Sequence, residues 1–250
     1  MSNREVIAVY GGAFDPIHLG HIGCIHALLR NPTLVHGNMG YTLSQIWVIP
    51  SEDIRGDKAA QCTKRVRYTM CKLAINEMRL SEKGVYLVDH DFYSNKETYQ
   101  NSRGQGGRDL GTMALLDDLK EQFPNLLFFP VIGSELVSTL PTWLQSDRLA
   151  NETIFIVIKR AMSKDLHPPI NDDSVKHSTK KTTTKEAPTP ESKKEETSFQ
   201  FFTPIEYQPP KISSTEIRTI LRKKVPSLNE LAQYTPISVA EFILRNKLYI

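Results

Sequence analysis

Cysteine is scarce in this chain. Its 250 residues hold three, Cys24, Cys62 and Cys71, too few for a disulfide framework and without metal-type spacing. They fit buried thiols in a reducing compartment. Long apolar runs are missing as well: none approaches membrane length, and the opening MSNREVIAVY lacks the apolar core of a signal peptide. The expectation is a soluble cytoplasmic chain with no membrane partner, with the nucleus open to it in a eukaryote. Neither sign of charge dominates: Lys and Arg number 31 against 28 Asp and Glu, and a formal net charge of +3 does not point to nucleic acid. Nor does the length require a second core, and residues 1–250 are read as a single domain.

One stretch has almost no large apolar residues. From about Ser163 to Ser198 the composition turns to Lys, Thr, Glu, Ser and Pro. Such a segment cannot bury enough surface to offset its ordering entropy, so a disordered insertion is expected. Its lysine pairs are open to two readings, a nuclear import signal or a plain solvated linker.

What remains alternates between strand and helix patterns. Val6 to Tyr10 reads as a buried strand, broken by Gly11 and Gly12, and a helical pattern starts near Leu19. Asn31 to Gly40 reads as a polar connector, Gln45 to Pro50 as a strand and Ser51 to Gln61 as a loop. A helix from Cys62 to Arg79, a strand from Val85 to Val88, a mobile loop from Tyr93 to Gly107 and a helix from Leu110 to Gln122 follow. Leu126 to Ile132 is the fourth strand, and a short helical segment runs on toward Leu140. The uninterrupted apolar run Thr153 to Ile158 suits a parallel sheet buried on both faces. Phe199 to Thr203 is a candidate edge strand, and two helices, Ser214 to Lys223 and Ser238 to Arg245, close the chain. The pattern predicts an α/β fold with a doubly wound parallel sheet and C-terminal helices. Ligands of such sheets bind at the carboxyl ends of the strands, where His18, His21 and Gly133 would converge.

The stretch IAVYGGAFDPIHLGHI carries the chemistry. The glycines let the backbone approach a ligand, Asp15-Pro16 fixes a turn, and His18 and His21 bracket a helix start, where free N–H groups favour an anion. That combination makes a phosphate site. A metal pair and a pair of structural imidazoles are the competing readings, and no third metal ligand is evident nearby.

The run Gly11-Gly12-Ala13-Phe14-Asp15-Pro16-Ile17-His18-Leu19-Gly20-His21 resembles the signature of the HxGH nucleotidyltransferase superfamily, and Ile212-Ser213-Ser214-Thr215-Glu216-Ile217-Arg218 resembles its second signature, ISSTxxR. The resemblance implies a Rossmann-like nucleotidyltransferase fold and attack of an acceptor phosphate on the α-phosphorus of ATP, with pyrophosphate leaving. His21 would then bond the α-phosphate, His18 would hold the phosphates from the neighbouring turn, and Arg218 would meet the leaving pyrophosphate. Gly11, Gly12, Ala13, Phe14, Gly20, Ile212, Ser213 and Ser214 would line the ATP site. Ser213 with Glu216 also fits a capping box, a purely structural reading of that pair. Magnesium is expected on the ATP phosphates, with no metal held by the protein alone.

Gly133-Ser134-Glu135, followed by Pro141-Thr142-Trp143, resembles the GxD…W region of the nicotinate and nicotinamide mononucleotide adenylyltransferases, with glutamate where that pattern has aspartate. The resemblance implies that Gly133 and Glu135 serve the adenosine side and that Trp143 stacks on a pyridine ring. Thr112, Lys58 and Arg67 would join Trp143 at the mononucleotide. The bland readings are a core tryptophan for Trp143 and a helix-surface cation for Arg67. ATP and a pyridine mononucleotide are the expected partners, and a homo-oligomer is open. Two other readings stay in play: a phosphopantetheine adenylyltransferase, or a nucleotide-binding regulatory or chaperone-like module without turnover.

Overall fold

Val6 to Tyr10 carries no charged residue because both faces of the strand it forms are covered. Val6, Ala8 and Tyr10 pack into one apolar layer, and Ile7 and Val9 into the other. A computed structural model describes residues 4–55, 58–89, 111–160, 198–208, 210 and 212–250. The expected loop at 93–107 and nearly all of the expected insertion at 163–198 lie outside the described residues.

β1 (Arg4–Gly12) is followed by α1 (Leu19–Arg30), β2 (Thr33–His36) and β3 (Met39–Pro50). A small hairpin of β4 (Ile54–Arg55) and β5 (Lys58–Ala59) leads into α2 (Lys64–Glu77) and β6 (Val85–Leu87). Next come α3 (Gly111–Gln122), β7 (Phe128–Gly133), a 3-10 helix (Ser134–Thr142), α4 (Ser146–Glu152) and β8 (Ile154–Arg160). β9 (Gln200–Phe201), β10 (Ile205–Tyr207), α5 (Ser214–Lys223), α6 (Leu228–Leu231) and α7 (Ile237–Arg245) complete the order.

The main sheet runs β10-β8-β7-β1-β3-β2, with β6 also on β3 and β9 also on β8. All its pairings are parallel except β2 with β3. α1, α2, α5, α6 and α7 cover one face and α3 and α4 the other, as a doubly wound sheet requires. The chain leaves β1 toward β3 and β6, then returns to β7 on the other side of β1. The switch point therefore lies between β1 and β7. Their pairing ends at Val9 and Pro130, where β7 turns to β8 for its remaining partners. Pro130 has no N–H to extend the ladder. The two strands diverge there, and a crevice opens between Gly11-Gly12 and Gly133.

The structure corrects several boundaries. Asn31 to Gly40 is not a connector: Leu34 is buried, and β2 adds an antiparallel edge to the sheet through a turn with Gly37 at φ 56. Its single apolar contact is too short a signal for periodicity to find. The expected loop at Ser51 to Gln61 holds the β4–β5 hairpin. Phe199 to Thr203 contributes only β9, and β10 follows it along β8. Two short helices, α4 and α6, went unforeseen because each spans about two turns or fewer. The three cysteines are free and buried, as expected.

Candidate active site

The two histidines of the HLGH stretch cap their own helix. His18 is the residue before the first turn of α1, and its Nδ1 accepts from the backbone N–H of Gly20 at 3.1 Å. His21 returns the bond: its Nδ1 accepts from the backbone N–H of His18 at 3.2 Å. The pair forms a capping box built from imidazoles, with ring centroids 3.8 Å apart. A ring nitrogen that accepts carries no hydrogen, so each neutral ring holds its proton on Nε2. The cap thereby fixes both tautomers and gives the helix entrance two N–H donors, suited to an anion at a positive dipole end. Gly20 is required for this. A Cβ there would lie 2.8 Å from Cε1 and 2.9 Å from Nδ1 of His18.

The preceding loop is shaped by Phe14, at φ 47. Its ring stands edge-on to His21 at 5.0 Å and to Tyr10 at 5.5 Å. Gly12 makes room for that ring, since a Cβ would come within 2.9 Å of it, whereas a Cβ on Gly11 would meet nothing within 4 Å. The need for glycine at position 12 thus comes from the loop's own packing rather than from ligand approach. Ala13 contributes a main-chain carbonyl that accepts from Arg67.

The second signature docks on the first. Ser214 donates to the carbonyl of Pro16 at 3.0 Å, and Arg218 donates from Nη1 to the carbonyl of Asp15 at 2.6 Å. The Ile212 carbonyl lies beside Gly20, so the starts of α5 and α1 adjoin. Ser213 is the α5 cap, accepting from the N–H of Glu216 at 3.2 Å and donating to its carboxylate at 2.9 Å. The pair is an N-cap rather than the expected reciprocal capping box, because the Glu216 carboxylate takes the Ser213 hydroxyl. Arg218 Nε is buried without a hydrogen-bond partner among the described residues. A desolvated guanidinium N–H of this kind is costly unless an anion completes it.

Arg67 has a different place from the one expected. It is fully buried and donates to the carbonyls of Cys62, Ala13 and Ser51, at 3.0, 2.6 and 2.7 Å, and to Asp53 at 3.0 Å. Four N–H bonds make its guanidinium a brace between the loop, the end of β3 and the start of α2, not a helix-surface cation. Sequence gives no warning of this, because a helical arginine is usually exposed.

Asp15 was read only as part of a turn, yet it is the hub of the site. It is buried, its peptide with Pro16 is cis, and its carboxyl accepts from the N–H of Gln61 at 2.7 Å, the N–H of Cys62 at 3.3 Å and the hydroxyl of Tyr249 at 2.6 Å. Thr235, fully buried, donates to the carbonyl of Ile17 at 2.8 Å. A carboxylate inside an apolar motif was the available signal for Asp15. Nothing local marks Thr235 or Tyr249.

Across the crevice, Glu135 folds its carboxyl back over Gly133, where a Cβ would lie 2.6 Å from the carboxyl carbon. Trp143 is half-buried. Its Nε1–H donates to Thr139 at 3.0 Å, and its ring stands edge-on to Phe155 at 6.4 Å. Thr112 lies in the first turn of α3, and that turn abuts Leu144, 3.3 Å from where a Cβ on Gly111 would sit. The elements carrying Thr112 and Trp143 are therefore neighbours. Lys58 lies on β5 of the small hairpin.

Comparison with known proteins agrees with this geometry. The cytidylyltransferase-like family matches residues 9–220. The nicotinate-nucleotide adenylyltransferase of Bacillus subtilis is 30% identical over 155 residues, covering 62% of this chain and 69% of the relative. A probable nicotinate-nucleotide adenylyltransferase of Shewanella sediminis is 27% identical over 247 residues, covering 97% of each. Among solved structures, the Plasmodium falciparum nicotinic acid mononucleotide adenylyltransferase complexed with NaAD has a TM-score of 0.65 at 22% identity, covering 99% of this chain and 98% of that one. The chain belongs to the nicotinate/nicotinamide mononucleotide adenylyltransferase family, within the cytidylyltransferase-like nucleotidyltransferases.

Proposed function

We propose that the chain transfers AMP from ATP to nicotinate or nicotinamide mononucleotide. A phosphate oxygen of the mononucleotide attacks the α-phosphorus, the bond from that phosphorus to the β-phosphate oxygen breaks, and pyrophosphate leaves with deamido-NAD or NAD as the product. The observation that carries this reading is the imidazole capping box of His18 and His21, with Arg218, whose Nε is buried without a partner among the described residues, tied to the loop that leads into it. Together they offer fixed donors to a polyphosphate where two helix starts adjoin. Fixed donors need no reorganisation as negative charge gathers in the transition state. The reaction needs no covalent intermediate, so positioning and charge neutralisation suffice.

In this reading His21 meets the α-phosphate, His18 the neighbouring phosphates and Arg218 the departing pyrophosphate. The N–H groups at the start of α5 support the β- and γ-phosphates. Glu135 faces the adenosine side, and Thr112 and Trp143 receive the pyridine. Magnesium enters with ATP as part of the substrate. Among the described residues, no group of three or more His, Cys, Asp or Glu side chains is placed to hold an ion by itself.

The test is pyrophosphate release from purified chain, ATP and magnesium with nicotinate mononucleotide, nicotinamide mononucleotide or phosphopantetheine. Release with a pyridine nucleotide and none with phosphopantetheine is expected. The reverse pattern, or no release with any acceptor, overturns the reading. The ratio of the two pyridine rates sets the acid or amide preference.

A further inference from the structure

The segment beyond α7 does not trail away from the fold. Lys247 and Tyr249 both take the left-handed backbone region, at φ 50 and φ 65, which side-chain-bearing residues rarely adopt. Such conformations persist only where surrounding contacts impose them. Here the result is that the Tyr249 hydroxyl reaches the Asp15 carboxyl at 2.6 Å, inside the loop that leads into the histidine cap. Burial first, then this hydrogen bond, push the phenol's pKa up. Burial likewise raises the thiol of Cys62 beside it, so both groups stay protonated and the phenol keeps its hydrogen to donate.

Two further bonds from the same C-terminal part of the chain grip the same loop. Thr235 donates to the carbonyl of Ile17, and the N–H of Leu19, the first residue of α1, donates to the carbonyl of Tyr234 at 2.9 Å. The last helix is itself anchored on α2, where the Glu77 carboxylate accepts from the N–H groups of Ile237 and Ser238 at 3.1 and 2.8 Å. The tail is thus referenced to a helix that also carries Arg67, the brace of the same loop.

We propose that Tyr249 is a positioning residue for the nucleotidyl-transfer site. Its hydroxyl bonds Asp15 Oδ1, the oxygen that also accepts from the Cys62 N–H, and through Asp15 it sets where the loop delivers His18 and His21. Tyr249 itself touches neither phosphate nor acceptor. The proposal rests on reading that loop as the site of transfer.

Tyr249→Phe is the test, because it keeps the ring and removes the donor. Wild type and variant are compared by thermal melts, by steady-state pyrophosphate release and by nitrogen-15 shifts of the histidine rings. A nearly unchanged melting temperature is expected, together with a kcat about tenfold lower, an ATP KM within about twofold of wild type, and displaced shifts for His18 and His21. Unchanged kcat and unchanged histidine shifts in Tyr249→Phe overturn the proposal, whatever happens to stability. If the variant melts below the assay temperature, both proteins are assayed at a lower temperature where their circular dichroism agrees, and the same criteria apply. Absence of pyrophosphate release from the wild type would instead overturn the proposed function. In that case the histidine shifts still decide whether Tyr249 sets the loop.

Discussion

Arg218 donates to the main-chain carbonyl of Asp15 at 2.6 Å, and this bond joins that of Ser214 to Pro16 in tying the second signature of the chain to the first. The carbonyls of Asp15, Pro16 and Ile17 accept in turn from Arg218, Ser214 and Thr235. Three successive carbonyls are thereby satisfied by side chains from the C-terminal third. Buried backbone acceptors need such partners, and a loop with its carbonyls fixed has little freedom left. The two signatures, far apart in the sequence, are one structural unit.

Replacing Arg218 by Lys should therefore do more than its conserved charge suggests. Lysine has no planar fork to hold the Asp15 carbonyl while presenting a second N–H at the position of the buried Nε. We expect kcat/KM to fall on the order of a hundredfold, or about 2.7 kcal/mol of transition-state stabilisation. Steady-state kinetics with ATP varied will show it. Near-normal kcat/KM would remove Arg218 from the assigned role.

His21→Ala should lower kcat much more than it weakens ATP binding, by on the order of a hundredfold or more, as for loss of one fixed donor. It also opens the reciprocal cap, since the His18 N–H loses its acceptor. ATP affinity by calorimetry and kcat on the same sample separate the two effects. A folded His21→Ala protein with ordinary turnover would contradict the assignment.

Gly20→Ala isolates the geometry of the cap. The added methyl collides with the His18 ring, which is packed and cannot move aside freely. Loss of an N-cap costs about 1 kcal/mol, so a melting temperature lower by roughly 2–4 °C is expected for a chain of this size. Turnover should drop by more than that stability loss explains. Unaltered turnover would show that the His18 ring has room to shift without consequence.

The parts of this site that could be read in the sequence were those whose chemistry sits in contiguous residues. HLGH and ISSTEIR each mark a helix start within a few positions, and the structure sets those two helix starts side by side. The burial of Arg67 is not legible because its partners, the carbonyls of Ala13, Ser51 and Cys62, lie on three different segments and are main-chain groups with no sequence identity. Thr235 is hidden for the same reason, its partner being the Ile17 carbonyl, and the Asp15–Tyr249 pair is hidden because its two side chains lie at opposite ends of the sequence. In the fold, the alternation of apolar runs exposed the parallel core strands. β2 and α6 escaped because one edge strand and one short helix bury too few residues to set a period.

Arg67→Met tests the brace directly. It removes the donors of three carbonyls lying in or beside the site loop, and each buried acceptor left unpaired costs about 1–3 kcal/mol. A melting temperature lower by several degrees is expected, with kcat reduced and no selective rise in the mononucleotide KM. A selective rise in that KM at unchanged stability would restore Arg67 to the acceptor site.

Trp143 divides the two halves of the proposed reaction, so its removal should strike the acceptor and spare ATP. The ring is half-buried, with its N–H satisfied by Thr139 and its edge on Phe155, which leaves it anchored by its own helix and the core beneath. The adjoining turn of α3 brings Thr112 to the same side. An aromatic stacked on a pyridine contributes roughly 1 kcal/mol, which corresponds to a several-fold change in affinity. Trp143→Ala should raise the mononucleotide KM by at least that factor, Trp143→Phe should recover part of it, and the ATP KM should stay close to wild type. A tryptophan whose role were packing alone would behave differently, since truncating a buried one costs roughly 3–5 kcal/mol of stability. Melting curves paired with kinetics on both substrates separate the two. A variant that melts much earlier yet keeps its mononucleotide KM in the folded fraction would assign Trp143 to the core, and the pyridine acceptor would lose its stacking partner.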